Sequence, residues 1–399
     1  MSVLDPNSLQ RQIQQQSRRV QGLRAAVYAQ ADPSASDLHQ RLIEEEARLR
    51  ELEQQRAVQP TAWANDQTPA APRGRFLGPK TTGLQVEPTL NMQPIPTGIY
   101  HLLDPETDPL LTVKVANVSR DPRRVCIKAF LEGLSAQAVR TVEVEPRKDV
   151  TLKLLPTLLP ERARAITEVQ RATLHVVAED LDGKPESHDT FSVVCLARTS
   201  SFNAVRRPDT GQTVDLSHYY GAWVTPHDEA VQRLIRRAAD LLPDRQILGY
   251  QGDPDAVPGL VGALFQALKE AELTYVNSVI DFGAPAGQAT QRTRLPRESL
   301  AGRAVNCIDG AVLFASLLEG VSLNPALVLV PGHAFVGWEA WDGADEWRFL
   351  ETTMIGTHDF EAACGSGQRQ YDQAQTYGRA RLTVHRLTDL RARGIWPME

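Results

Sequence analysis

NCIDGAVLFASLLEG, residues 306–320, places one cysteine between a polar turn and a long apolar run. From residue 311 onward the run is apolar nearly all round, which predicts a helix that is buried on most sides. Cys307 falls at the start of that helix, and Asn306 is a suitable N-cap. Taken alone, a cysteine in such a place is more often a small buried hydrophobe than a reactive group. The alternative is a nucleophile at the head of the helix.

The start of a helix suits a nucleophilic thiol for two reasons. Its first backbone N–H groups have no partner within the helix, and the positive end of the helix dipole favours a thiolate. The same N–H groups can hold an oxyanion. A nearby negative charge opposes the thiolate. We therefore expect Asp309, two residues after Cys307, to fix the helix start and not to take part in catalysis.

Two later residues can supply the partners that such a thiol needs. His333 follows a Pro-Gly turn in PGHAFVGWEAW, 26 residues after Cys307, and a neutral imidazole can take the proton of a thiol. Glu351 ends the next predicted strand, DEWRFLETT, 18 residues after His333, and can orient the imidazole. Whether the two side chains share one face of the sheet depends on strand register, which the sequence leaves open. Asp342 and Asp345, in the intervening turn, are alternatives for the acid.

This order of cysteine, histidine and acid resembles that of the transglutaminase-like superfamily of papain-like cysteine enzymes. The resemblance covers roughly residues 225–399 and is closest to a segment of large bacterial proteins that also carry helicase-like domains. The matching stretches are QRTRLPRESLAGRAVNCIDGAVLFASLLEGVSLNP, LVLVPGHAFVGWEAW, FLETT, DFEAA and RARGIWPM. The resemblance implies an α+β fold with Cys307 as nucleophile, His333 as general base and acid, and Glu351 at the acid position. The superfamily usually has Asp there, which is one methylene shorter.

The resemblance also implies supporting residues around the reacting thiol. The family uses an upstream polar side chain near the oxyanion, for which Gln291 and Tyr275 are the candidates. Asp309 matches an acidic position of the family next to the nucleophile. These three residues complete the predicted site.

The N-terminal part of the chain carries a helical pattern. In residues 1–57 the apolar positions step by 4, 7 and 3 on either side of the break ADPSASD, which predicts a helical hairpin or short coiled coil. One pair of helices buries little surface, so we expect it to dock on a partner, a second copy or the rest of the chain. A solvated helical arm is the alternative. Residues 58–97 are rich in proline and predict a linker.

The rest of the chain predicts two further parts. Residues 98–200 contain six short alternating or β-branched runs separated by turns, which indicates an immunoglobulin-like β-sandwich. Residues 214–399 show helical patterns first, near 226–241, 256–272 and 307–319, and strands afterwards, which indicates an α+β domain. The predicted fold class is thus a multidomain chain of helical hairpin, β-sandwich and α+β transglutaminase-like domain.

Composition narrows the classes of partner. The 399 residues carry a formal net charge of −6, so there is no bulk basic field for nucleic acid or an anionic membrane. No stretch approaches a membrane span, and no basic segment precedes an apolar one at the N-terminus, which predicts a cytoplasmic protein. Four cysteines without a CxxC pair give no metal pattern. We expect no cofactor and no metal.

The sequence therefore predicts a cysteine peptidase or amidase that acts on a protein substrate through a thioacyl intermediate. Transfer of the acyl group to an amine, as in a transglutaminase, stays open, because the fold supports both outcomes. The absence of a calcium-site pattern favours hydrolysis. The alternative from another class is a catalytically degenerate scaffold that binds partner proteins. Family context suggests a bacterial defence-type complex for such a scaffold.

Overall fold

The chain has a mixed α/β fold with several separate sheets. The computed structural model describes isolated positions between residues 12 and 48, and then residues 74–77, 83–180, 185–202, 204–206, 213–276, 290–330, 332–377 and 382–398. Among these residues, no helix is both long and apolar enough to cross a membrane.

The first half of the described chain is built from antiparallel strands. They are β1 (Gly74–Leu77), β2 (Leu84–Leu90), β3 (Leu111–Asn117), β4 (Arg123–Leu131), β5 (Ala138–Val144), β6 (Asp149–Leu154), β7 (Gln170–Glu179) and β8 (Pro185–Cys195). The short helix α1 (Pro160–Arg164) and a 3-10 turn at Tyr100–Leu102 complete this part. One sheet has the order β1-β8-β7-β4-β5, and a second has the order β2-β3-β6.

Alternation of side chains explains why these runs form half-buried strands. In β4, Val125, Ile127, Ala129 and Leu131 are fully buried, while the residues between them are less so. The inward side chains of both sheets belong to one hydrophobic cluster. Each of the six runs predicted as strands within residues 98–200 forms a strand.

The predicted linker, residues 58–97, is wrong in the part that the structure describes, residues 74–77 and 83–97. The structure places β1 and β2 there, and residue 95 forms a bridge with Cys195. Pro88 lies within β2, which is an edge strand, and an edge strand tolerates a proline because one side of it needs no ladder hydrogen bonds. The proline content therefore led to the prediction of a linker where the structure has a strand. Residues 58–73 and 78–82 lie outside the described residues.

Little of the predicted hairpin, residues 1–57, falls within the described residues. The described positions before residue 24 and after residue 40 are helical. Gln16 Nε2 donates to the backbone carbonyl of Glu45 at 3.0 Å, so the two halves meet at this point. Docking of this hairpin on a partner or a second copy stays a prediction.

The second half of the described chain combines helices with short sheets. Its strands are β9 (Ser200–Phe202), β10 (Ala204–Arg206), β11 (Thr213–Asp215), β12 (Thr274–Tyr275), β13 (Thr290–Arg292), β14 (Ala304–Val305), β15 (Pro325–Val330), β16 (His333–Glu339), β17 (Trp347–Leu350) and β18 (Thr383–Arg386). Its helices are α2 (Glu229–Leu241), α3 (Val257–Glu270), α4 (Pro296–Gly302), α5 (Cys307–Gly320), α6 (Phe360–Tyr377) and α7 (Leu387–Ala392). Shorter 3-10 turns lie at Ser217–Trp223, Gly249–Gln251, Pro254–Ala256 and Thr352–Met354.

The core of this half forms around α5. The sheet β17-β16-β15-β18 is antiparallel throughout, and α5 packs against β15 and β16. Every residue of α5 from Ile308 to Leu318 is buried, as an apolar pattern on all sides requires. The three predicted helices and four predicted strands of this half are present, and α4, α6 and α7 add to them.

Candidate active site

The start of α5 is fixed by a reciprocal cap. Asn306 Oδ1 accepts from the backbone N–H of Asp309 at 2.8 Å, and Asp309 Oδ2 accepts from the backbone N–H of Asn306 at 3.2 Å. Arg294 donates to the same carboxylate from its backbone at 2.7 Å and from Nη1 at 3.0 Å. Burial raises the pKa of Asp309, and these donors oppose that rise. Asp309 thus holds the first turn, and half-buried Cys307 is the first residue of the helix.

The structure brings Cys307, His333 and Glu351 together. His333 Nε2 donates to Glu351 Oε2 at 2.6 Å, and the His333 ring also hydrogen-bonds the Cys307 side chain. Because Nε2 faces the carboxylate, Nδ1 is the ring nitrogen available to the thiol. The result is a hydrogen-bonded series of thiol, imidazole and carboxylate.

Strand register decides that His333 and Glu351 lie on one face. In the β16–β17 ladder Gly337 lies opposite Phe349, so odd-numbered residues of both strands share a side. The rings of Phe335 and Phe349 confirm this side with centroids 6.2 Å apart. His333 begins β16 on that side, and Glu351 follows directly after β17.

Four hydrogen bonds satisfy the buried Glu351 carboxylate, which is 1% exposed. Oε1 accepts from the backbone N–H of Thr353 at 2.9 Å and from its hydroxyl at 2.7 Å. Oε2 accepts from His333 and from Gln370 Nε2, each at 2.6 Å. Burial acts to raise the pKa of Glu351, but His333 and Thr353 outweigh it, so the pKa is lowered. The carboxylate is therefore ionised at neutral pH.

The charge of Glu351 also determines the state of His333. Burial lowers the pKa of a histidine, yet the carboxylate and the hydrogen bond with Cys307 raise the pKa of His333 to about 10. The ring is therefore protonated at neutral pH. A protonated imidazole beside a thiol favours a thiolate–imidazolium pair, the reactive form of a cysteine nucleophile.

Gln370, on α6, is a part of this site that the sequence did not indicate. It is buried, and α6 reaches Glu351 because Gly367 lets the helix lie directly against β17. A Cβ at Gly367 would lie 2.6 Å from the backbone N of Leu350. The backbone N–H of Glu351 also donates to the Ala363 carbonyl at 3.1 Å. The only signal in the sequence is Gly367, which lies three residues, about one helical turn, before Gln370.

The two alternative acids take other partners. Asp342 accepts from Asn324 Nδ2 at 2.9 Å, and Asp345 accepts from Arg386 at 2.6 Å. Both lie near the turn between β16 and β17. Among the three candidates for the acid, Glu351 is the one that meets the imidazole.

Tyr275 and Gln291, the predicted oxyanion candidates, lie in short strands. Tyr275, in β12, pairs with β14 immediately before Cys307, and its side chain is 41% exposed. Burial and the nearby charges of Cys307 and Glu351 raise the pKa of Tyr275. Its hydroxyl is therefore a neutral donor close to the thiol. Gln291 lies in β13, but its side chain lies outside the described residues, so its role stays a prediction.

A second tyrosine near the thiol was not predicted. Tyr220 lies in the 3-10 turn Ser217–Trp223 and is 2% exposed. Burial raises the pKa of Tyr220, and the charge of Cys307 raises it further. The stretch SHYYGAW has neither period nor motif that would indicate such a position.

The other cysteines lack comparable surroundings. All four cysteines are free. Burial raises the pKa of Cys195 to about 11 and, with the charge of Glu361, that of Cys364 to about 12. Those two thiols are protonated at neutral pH. Within the described part of the chain, no group of three or more His, Cys, Asp or Glu side chains could hold a metal ion.

Comparisons with known proteins add no family. No family model matches the chain, and no curated protein matches it either. Among solved structures it is similar to a FixG-related protein from Vibrio parahaemolyticus (11% identity, 29% of this chain and 96% of that one, TM-score 0.20). It is also similar to an exo-chitosanase from Amycolatopsis orientalis (12%, 47% and 27%, 0.21) and to alpha-2-macroglobulin from Escherichia coli (13%, 50% and 35%, 0.21). The chain thus spans about a third or less of the last two structures. TM-scores this low carry no argument about fold or function.

Proposed function

We propose that this chain is a cysteine peptidase or amidase with Cys307 as nucleophile. The observation that carries the proposal is the hydrogen-bonded series from Cys307 through His333 to Glu351. We further propose that residues 98–200, together with β1 and β2 before them, form an immunoglobulin-like sandwich, and that residues 214–399 form a transglutaminase-like domain. The alternating inward strands support the first, and the order of helix start, strand and acid supports the second.

The proposed reaction has two steps. Cys307 Sγ attacks the carbonyl carbon of an amide, and the oxyanion lies against the first N–H groups of α5. As the C–N bond breaks, His333 gives its proton to the leaving amine. Water then attacks the thioester and gives one proton to His333; the C–S bond breaks, which releases the carboxylic acid and restores the Cys307 thiolate beside the protonated ring. Glu351 keeps the ring oriented through both steps and stabilises its protonated form before the first step and after the second. An amine in place of water would instead give acyl transfer.

A thiol-directed electrophile tests the proposal without a known substrate. With iodoacetamide below one equivalent and intact-mass readout, we expect one adduct, located at Cys307 by peptide mapping. Cys307→Ala should lose it, and His333→Ala should form it at least about tenfold more slowly, because the thiolate then lacks the imidazolium that stabilises it. Cys364→Ala is the matched control and should react like the wild type. Equal, slow labelling of all four cysteines would contradict the proposal and support a degenerate scaffold.

The substrate requires a second experiment. Wild-type protein and Cys307→Ala are each incubated with a proteome, and new N-termini are mapped. N-termini found only with the wild type indicate hydrolysis of a protein substrate. A parallel sample with a biotinylated primary amine separates acyl transfer, because only that reaction attaches biotin to proteins.

A further inference from the structure

A cavity of about 570 Å³ lies away from the thiol site. Residues 97–102, the helix α1 and the segment 394–398 line most of it, and Cys307, His333 and Glu351 do not contribute. Its volume lies within the range of about 300–1,000 Å³ that is typical of small-molecule sites. Nothing in the proposed peptidase mechanism uses this cavity.

Trp396, an exposed tryptophan, lines the cavity. Gly394 has φ +83°, a left-handed conformation that suits glycine, and it turns the chain so that Ile395 is buried while Trp396 is 61% exposed. On the far side, the backbone N–H of Met398 donates to the Ala222 carbonyl at 2.7 Å. The backbone of Trp396 is thus held on both sides, so a ligand that packs on its ring does not have to order the main chain.

The tail that carries Trp396 is further fixed by Arg391. Its guanidinium donates to both carboxylate oxygens of Glu319 at 2.8 and 2.9 Å. It also donates to the carbonyls of Gly221, Val224 and Ile395 at 2.7 to 3.0 Å. A bidentate pair with three additional acceptors holds this segment in one place.

The lining of the cavity combines apolar and basic side chains. Leu102, Leu158 and Leu295 supply apolar surface in addition to Trp396. Arg164, Arg198 and His101 are the basic lining residues, and none of the lining residues is acidic. Arg164 also forms an exposed ion pair with Glu161 at 2.8 Å, outside the lining. An apolar cavity with a few convergent polar groups is the usual form of a small-molecule site.

Arg198 is positioned for such a role. It pairs with Glu298, whose second carboxylate oxygen accepts from the backbone N–H of Leu295 at 3.1 Å. A guanidinium has five N–H groups, so one ion pair occupies only part of its donor set. A planar carboxylate can accept two parallel N–H groups from a guanidinium, and its apolar body suits the apolar part of the lining.

We propose that this cavity binds a small carboxylate with an aromatic or aliphatic body. The body packs against Trp396 and the leucines, and the carboxylate faces Arg164 and Arg198. The site is independent of the reaction at Cys307.

Fluorescence of 1-anilinonaphthalene-8-sulfonate, an aromatic anion, tests the proposal on the full chain. We expect saturable fluorescence that 4-phenylbutyrate displaces, whereas 4-phenylbutan-1-ol, which has the same body without the charge, displaces it at least about fivefold more weakly, as the loss of one charged hydrogen bond implies. Equal displacement by the acid and the alcohol would overturn the anionic part of the proposal. The absence of a displaceable signal would overturn the site.

Variants of exposed or half-buried residues locate the binding without disturbing the core. Trp396→Ala removes the aromatic surface and Ala163→Trp fills the cavity from α1; each should weaken 4-phenylbutyrate at least about tenfold, equivalent to ~1.4 kcal/mol. Arg164→Gln should weaken the acid but not the alcohol. Arg162→Gln, an exposed arginine on the same helix that does not line the cavity, should change neither. Wild-type affinity in both Trp396→Ala and Ala163→Trp would show that the ligand binds elsewhere and refute the proposal.

Discussion

Replacing Glu351 with glutamine should reverse the sign of the pKa shift of His333. Two opposing effects act on this ring: burial lowers its pKa, and the carboxylate raises it. The test is made in a Cys307→Ala background, because a thiol that titrates beside the ring would couple the two protonations. In that background Glu351 alone should hold the pKa of His333 above 6.5. In Cys307→Ala/Glu351→Gln burial alone remains, and the pKa should fall below 6.5.

The geometry gives the size of the effect. Nε2 of His333 and Oε2 of Glu351 are 2.6 Å apart, which places the two charge centres about 4 Å apart. At an effective dielectric constant of about 20, a pair at that separation is worth ~4 kcal/mol. One pKa unit corresponds to about 1.36 kcal/mol, so the expected fall is about three units. Glutamine keeps the size of the side chain, which limits the change to charge and hydrogen bonding.

NMR titration of ¹³C-labelled histidine rings measures the pKa directly. The chain has nine histidines, and the signal that disappears in His333→Gln identifies the ring. The balance of burial against charge would be refuted if adding Glu351→Gln to Cys307→Ala lowered the pKa of His333 by less than one unit. It would also be refuted if that pKa stayed above 6.5 in Cys307→Ala/Glu351→Gln.

The same shift makes stability depend on pH in a defined direction. The folded-state pKa of His333 is about 10, above the ordinary value of 6.5. The pair therefore contributes fully below pH 6.5, and its contribution is lost as the pH rises through about 10. Urea unfolding between pH 6 and 10 should show a steeper loss of stability in the wild type than in His333→Gln. Parallel curves would contradict this.

Three further changes test the supports of the site by urea unfolding and by the alkylation rate of Cys307. Gly367→Ala should destabilise by about 1–3 kcal/mol through backbone crowding, whereas Gly365→Ala, on the same helix with only an arginine side chain nearby, should be neutral or stabilise by up to ~1 kcal/mol. Asp309→Asn should cost about 3 kcal/mol because it breaks a buried ion pair, whereas Glu272→Gln, in an exposed pair, should cost less than about 0.5 kcal/mol. Gln370→Leu should slow alkylation about fivefold, the equivalent of one hydrogen bond to the carboxylate. Unchanged stability in Gly367→Ala or in Asp309→Asn, or an unchanged alkylation rate in Gln370→Leu, would contradict the corresponding contact.

Periodicity predicts the elements of this chain well and their meeting points poorly. The apolar run after Cys307 has only one structural solution, a buried helix, so its start and its cap follow from the sequence. His333 and Glu351 follow from strand alternation once the register is known, but several registers satisfy the same pattern. Tyr220 lies 87 residues before Cys307 and Gln370 lies 63 after it, and both meet the site only through tertiary packing. The strand β2 was missed because an edge position tolerates a proline that would break a central strand.

Close backbone packing explains how the long side chain of Glu351 is held at the imidazole. The short segment 350–352 lies between two helices, and each helix presents a glycine to it. A Cβ at Gly310 of α5 would lie 2.8 Å from the hydroxyl of Thr352, and a Cβ at Gly367 of α6 would lie 2.6 Å from the backbone N of Leu350. Two such contacts leave the backbone of this segment little room to move. The donors of Thr353 and Gln370 then fix the carboxylate of Glu351 at its far end and direct one oxygen to His333. The side chain of Glu351 is therefore held at both ends, because the helices position its backbone and separate donors position its carboxylate.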